Sequence, residues 1–176
     1  TIPSSSAVLS NNVRIKVELV GDVANVKDES LNAFTIKGTL TSIVPNTTQY
    51  WMVGETRAIS WTSTPADQGD VDVLWSFDGT NFPNPGQRLA RVNSAILSSS
   101  FTVLDAHKGE NVTWRVERVL DPTNVRVTSA APVKIYNLLL DQPVASEILR
   151  IGTAKTIQWT KDAGAFTTPS AEFAVY

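Results

Sequence analysis

Few side chains in this sequence could do chemistry, and they are scattered. Asp67, Asp70, Asp72 and Asp78 lie close together. A hard cation such as calcium needs several oxygens converging on one point. The spacing has no EF-hand register and Asp72 falls within a strand pattern, so the four read as a solvated acidic loop. His107, the sole histidine, sits in a polar connection beside Lys108 and Gly109. Without cysteine or a spaced partner it makes neither a metal site nor a triad, and it reads as solvated. A glycosidase carboxylate pair leaves no linear signature, because its members meet only in the fold. No catalytic motif and no cofactor motif is present, and the chain reads as non-enzymatic.

The five tryptophans, Trp51, Trp61, Trp75, Trp114 and Trp159, could stack on sugar rings. Four of them share a strand face with aliphatic residues two positions away, which reads as sandwich core. Trp51 is the candidate for an exposed stacking residue, since its strand is short. Asn46-Thr47-Thr48 and Asn111-Val112-Thr113 match the N-glycosylation sequon. Asn46, in a turn, is the more accessible of the two.

The elements that would position these groups are strands. Val13, Ile15, Val17 and Leu19 alternate with Arg14, Lys16 and Glu18, the pattern of a half-buried strand. Ile59 and Trp61 share one face of a strand over 57–63. Val71, Val73, Trp75 and Phe77 share a face of the next. Asp78-Gly79 reads as a tight hairpin turn. Weaker strands follow over 88–92 and 100–104, then a clear one through Val112, Trp114 and Val116. Val125 and Val127 lead another, and Ala171–Tyr176 reads as one more. No segment has a helical period. Many short strands between turn signals predict an all-β chain of immunoglobulin-like or fibronectin-like sandwiches.

The strands repeat. Gly54-Glu55-Thr56-Arg57-Ala58-Ile59-Ser60-Trp61-Thr62 returns as Gly152-Thr153-Ala154-Lys155-Thr156-Ile157-Gln158-Trp159-Thr160, 98 residues on and without a gap. Ile59 and Trp61, with Ile157 and Trp159, are its core signature, and Leu149 takes the place of Trp51. Ile135 matches Ile36 at an offset of 99, and Pro143 matches Pro45 at 98. A fixed period of this size marks a tandem array. The organisation expected is one complete sandwich over 41–138, closing strands of a partial unit over 1–40, and opening strands of a further unit over 139–176. Partial units of about 40 residues rarely fold unaided. Either the chain is a slice of a longer array, or the C-terminal part of one copy completes the N-terminal part of the next, giving a head-to-tail homopolymer.

Bulk properties narrow the partners. The 176 residues carry a net charge of −2 with no basic cluster, which argues against nucleic acid. No apolar run approaches the roughly 18 residues of a membrane span. No signal peptide is visible, and the opening Thr1-Ile2-Pro3 reads as a processed or excised start. Cysteine is absent, so no disulfide or thiolate metal site forms, and the compartment is left open. Abundant Ser, Thr, Asn, Val and Ala with sparse Lys reads as a bacterial surface protein, extracellular or on the cell surface. O-linked sugar on its Ser/Thr loops would suit that setting.

Pro45-Asn46, Tyr50-Trp51-Met52-Val53-Gly54-Glu55, Ile59-Ser60-Trp61-Thr62-Ser63 and Ser76-Phe77-Asp78-Gly79 together resemble a repeat of bacterial secreted and surface proteins. It is the Ser-Thr-rich glycosylphosphatidylinositol-anchored repeat family, with the pattern W-x-x-G…I-x-W. The family has Gly-Gly-Glu where this chain has Thr47-Thr48-Gln49, and Trp where it has Phe82. The resemblance implies an immunoglobulin-like sandwich in adhesive, spacer or structural roles, and no catalytic residues. The function expected is a structural or adhesive subunit of an extracellular filament or surface array; the alternative is a carbohydrate-binding accessory or spacer module, with glycans as partners.

Overall fold

The structure, a computed structural model, describes residues 2, 5–22 and 24–161. The expected strand over 171–176 lies outside them. Four strands come first: β1 (Ser10–Val13), β2 (Lys16–Glu18), β3 (Lys27–Glu29) and β4 (Phe34–Ile36). The central run is β5 (Thr39–Val44), β6 (Gln49–Met52), β7 (Thr56–Thr64), β8 (Asp70–Ser76), β9 (Arg88–Asn93), β10 (Ser98–Thr102), β11 (Gly109–Arg118), β12 (Arg126–Thr128) and β13 (Val133–Tyr136). The last two are β14 (Leu138–Gln142) and β15 (Gln158–Lys161). Among the described residues the only helical turns are 3-10 turns at Ser6–Val8, Ser94–Ile96 and Asp105–His107. The chain is all-β, as its patterning predicts.

The central run makes two sheets. One has the order β10-β7-β5; the other runs β6-β13-β11-β8-β9, with β12 also on β11. Only β6 and β13 pair in parallel. Strand β7 shows how the faces sort. Ile59, Trp61 and Ser63 are buried, while Ala58, Thr62 and Thr64 face water, because successive side chains of a strand alternate. Its inner residues meet Val71, Val73 and Trp75 of β8 and Val112, Trp114 and Val116 of β11 in one core. Two sheets facing across a shared apolar layer make a β-sandwich.

Two readings of local structure need correction. The alternating run from Val13 to Leu19 is interrupted at Arg14-Ile15, dividing β1 from β2. Asp78-Gly79 is not a tight hairpin: it opens the long loop between β8 and β9. There Asp78 caps the loop by accepting from the backbone N–H of Thr80 and Asn81.

The end strands copy the central run in backbone register. In β2·β3, Lys16 faces Glu29, Val17 faces Asp28 and Glu18 faces Lys27. In β11·β12, Arg115 faces Thr128, Val116 faces Val127 and Glu117 faces Arg126. Every residue is offset by 99. Ser10↔Ile36 and Val13↔Phe34 of β1·β4 become Gly109↔Ile135 and Val112↔Val133 of β11·β13, with a register irregularity at the same place. The connecting turns agree too: Asn25 donates to Asp22 at 2.8 Å as Asn124 donates to Asp121 at 2.7 Å. The Ser30 and Ser129 hydroxyls accept from the N–H of Ile15 and Trp114, both at 3.1 Å.

At the other end the offset is 98. Leu40↔Ser63, Thr41↔Thr62 and Val44↔Ser60 of β5·β7 become Leu138↔Lys161, Leu139↔Thr160 and Gln142↔Gln158 of β14·β15. Gly54 and Gly152 both take positive φ, 92° and 79°, a conformation that glycine adopts without steric cost.

Candidate functional site

The residues singled out for chemistry do not converge. Asp72 is buried on the outer face of β8, not solvated in a loop. Arg91 holds it by two bonds of 2.8 Å, and Asn84 donates to it at 2.6 Å. Burial opposes its ionisation, but the Arg91 and Asn84 hydrogen bonds outweigh that and keep its carboxyl below the usual range. Glu117 lies directly across from Asp72, and burial pushes its carboxyl up. This is an ion cluster that ties β9 and the preceding loop onto β8. Asp78 is held well below the usual carboxylate range by the N–H groups of Asn81 and Thr80. Among the described residues, no group of three or more His, Asp or Glu is placed to hold a metal.

His107 is also not solvated. The 3-10 turn at Asp105–His107 tucks it inside. Its Nδ1 accepts from the N–H of Leu104 at 3.1 Å. Its ring meets Trp75 edge-on at 5.0 Å and Phe101 at 5.7 Å. Burial among these rings pushes its pKa down.

Trp51 is not an exposed stacking residue. It is 2% exposed. Although β6 is an edge strand, it turns Trp51 inward, where its ring stacks on Trp114 at 5.4 Å and lies 6.1 Å from Phe101. Its Nε1 donates to Gln49 at 2.9 Å. A short strand at a sheet edge still has one inner face, and Trp51 is on it. Asn46 and Asn111 are both exposed. The Asn46 side chain accepts from the N–H of Ala130 at 2.7 Å.

What the structure does bring together is a pair of open sheet faces. Ile15 and Val17 occupy the positions of Trp114 and Val116. The central pair is 0% exposed, whereas Ile15 is 58% and Val17 68% exposed. Val26 and Phe34 are likewise exposed where Val125 and Val133 are buried. The difference comes from what is missing around them. Strand β11 has β8 on one side; β2 pairs only with β3 among the described residues. Val17, Leu19 and Val26 line a shallow hollow of about 490 Å³ with the polar side chains of Glu18, Asn25, Lys27 and Asp28 around it. At the other end Trp159 is 40% exposed against 4% for Trp61, and Ile157 is half-buried where Ile59 is fully buried. Leu149 is exposed where Trp51 is not.

The sequence shows the C-terminal repeat plainly but pairs the N-terminal part with the complete unit only over Phe34–Thr41, against Val133–Leu140, with Ile36 at Ile135. The signal was there: Asn12-Val13, Val17-Glu18, Asp22, Asn25-Val26 and Ser30 return unchanged as Asn111-Val112, Val116-Glu117, Asp121, Asn124-Val125 and Ser129.

The chain is thus all-β, with a central sandwich and, among the described residues, exposed apolar side chains on the strands to either side of it. Compared with known proteins, the chain matches no family model and no curated protein. Among the described residues no helix is long and apolar enough to cross a membrane.

Proposed function

We propose that the chain is a structural subunit of an extracellular filament or surface array, in which neighbouring copies join head to tail by completing each other's sandwiches. One observation carries this reading: the end strands hold the register of the complete unit while exposing side chains that the complete unit buries. A strand ladder in its final register with a wet inner face is a half-built core. Burying a Val or Ile side chain stabilises by about 1.5–3 kcal/mol, so closing the N-terminal face over Ile15, Val17, Val26 and Phe34 gains several such increments.

The two ends are complementary in repeat order. The C-terminal end supplies the opening strands and the N-terminal end the closing ones. Main-chain pairing with pockets for alternate side chains is an established mode of strand addition, and a contact that does not close into a ring grows an open fibre. The resemblance to the secreted surface repeat supports the extracellular setting. The carbohydrate-binding alternative drew on an exposed Trp51; with that ring under Trp114 and Phe101, no observation favours it.

Sedimentation velocity across a concentration series, with electron microscopy of the concentrated sample, tests the proposal. The expected result is a rise from the 19.1 kDa subunit to strands of regular repeat. A monodisperse subunit at every concentration refutes it and assigns completion to further repeats on the same polypeptide.

A further inference from the structure

We infer that the connection between the N-terminal strands and the central sandwich is a locked joint, with Gln68 as its latch and Gly38 as the residue that lets the latch close. The inference concerns the single chain and holds whether or not copies join. Strand β4 ends at Ile36 and β5 begins at Thr39, so Lys37-Gly38 is the whole connection. A short connection through glycine would ordinarily hinge, because glycine has the widest choice of backbone conformation. Here Gly38 is buried, and the residues on both sides of it are tied to the sandwich.

On one side, Lys37 Nζ meets the Asp121 carboxylate at 2.7 Å, in the turn between β11 and β12. The hydrogen bonds from Lys37 and Asn124 hold the Asp121 carboxyl below its usual range. On the other side, the Thr39 carbonyl accepts from Nε2 of Gln68 at 3.0 Å, and the same nitrogen donates to Ser63 Oγ at 2.8 Å. A side-chain amide has two N–H donors, so both are used and the orientation of the group is settled. Its Oε1 then lies against Gly38, where an added Cβ would sit 2.2 Å away. Glycine stands here because the latch needs the space, not because the chain needs to bend.

The latch itself is anchored at its backbone. Gln68 is 2% exposed. Its N–H donates to Ser94 Oγ at 2.9 Å, and its carbonyl accepts from Arg118 Nε at 2.7 Å. The Ser94 hydroxyl donates in turn to the carbonyl of Ala66 at 2.9 Å. Apolar packing across the joint is thinner. A hollow of about 320 Å³ is lined jointly by Val8, Leu9, Phe34 and Ile36 of the N-terminal part and by Thr64 and Pro65 of the sandwich. Units that share little packed apolar surface move relative to one another by default, so the polar seat around Gln68 supplies the restraint.

The chain has no cysteine, so nitroxide labels on Lys27→Cys in β3 and Ser100→Cys in β10 report only the distance across the joint. Pulsed electron paramagnetic resonance on the dilute full-length chain gives the distribution of that distance. The expected result is one narrow distribution in the labelled parent. Gln68→Ala removes the latch, and Gly38→Val forces it open from the linker side. Each should widen the distribution at least twofold, while the tryptophan emission of the sandwich stays that of the parent. Lys37→Ala cuts only the exposed tie and should widen it less. A parent distribution as broad as that of the variants overturns the inference, as does one that stays narrow in folded Gln68→Ala or Gly38→Val. If neither of those two variants folds, Lys37→Ala decides, and an unchanged width there overturns the lock.

Discussion

Val17 and Val116 offer a matched test, because the two valines share a backbone register and differ only in what covers them. Each is to be replaced by alanine. Val116 is fully buried between the two sheets. Removing two methyl groups there loses about 0.8 kcal/mol of transfer free energy each and leaves a cavity that the rigid β11 backbone cannot collapse. The expected loss is about 2–3 kcal/mol. Val17 is 68% exposed, and an exposed truncation in the dilute subunit costs less than about 0.5 kcal/mol. Urea unfolding followed by tryptophan fluorescence, at a concentration below assembly, reads both values. The midpoint should fall clearly for Val116→Ala and stay in place for Val17→Ala. In concentrated samples the order changes, because Val17→Ala then raises the concentration needed for assembly several-fold. If the two substitutions cost the dilute protein the same, the N-terminal strands close a core of their own and the half-built face does not exist.

Trp51→Ala should destabilise the sandwich by about 3–5 kcal/mol, the usual range for deleting a buried aromatic, and chemical denaturation measures it; an unchanged midpoint would mean that the ring is not packed on Trp114. His107 has its pKa lowered by burial, so the unfolded chain takes up its proton first. Its contribution to stability is therefore present above the unfolded pKa near 6.5 and is lost as pH falls through the folded one. The melting temperature should drop between pH 7.5 and 5 more steeply in the wild type than in His107→Phe. Asp72→Asn should cost about 1–3 kcal/mol, since it removes the carboxylate that binds Arg91 and Asn84, and the loss should persist at high salt because Asp72 is buried. Gly38→Ala should destabilise as well. Its Cβ would sit 2.2 Å from Oε1 of Gln68, whose amide bonds to Ser63 and to the carbonyl of Thr39 fix it in place; thermal unfolding checks the loss.

How much the sequence reveals depends on how local the cause is. The all-β class follows from two-residue alternation, and Ile59 with Trp61 shows it plainly. The C-terminal repeat is legible because glycine, isoleucine and tryptophan keep their spacing. The N-terminal repeat is fainter, because its large core residues have changed: Ile15 stands where Trp114 does and Val8 where His107 does. The turn residues that stayed, Asp22 and Asn25, are small and polar and read as ordinary loop. The burial of His107 and Asp72 is illegible in the sequence for one reason. Their burial depends on a 3-10 turn and on a distant arginine, and neighbouring residues carry no trace of either. The inward turn of Trp51 is hidden because strand length says nothing about which face a neighbouring strand will cover.

The two offsets, 99 for the closing strands and 98 for the opening ones, meet between β4 and β5 and again between β13 and β14. The first passage runs from Lys37 through Gly38 and Thr39 to Leu40, and the second from Tyr136 through Asn137 alone to Leu138. One has a link more than the other. The stretch that carries the chain from a closing strand into the next opening strand is therefore one residue shorter after β13 than after β4.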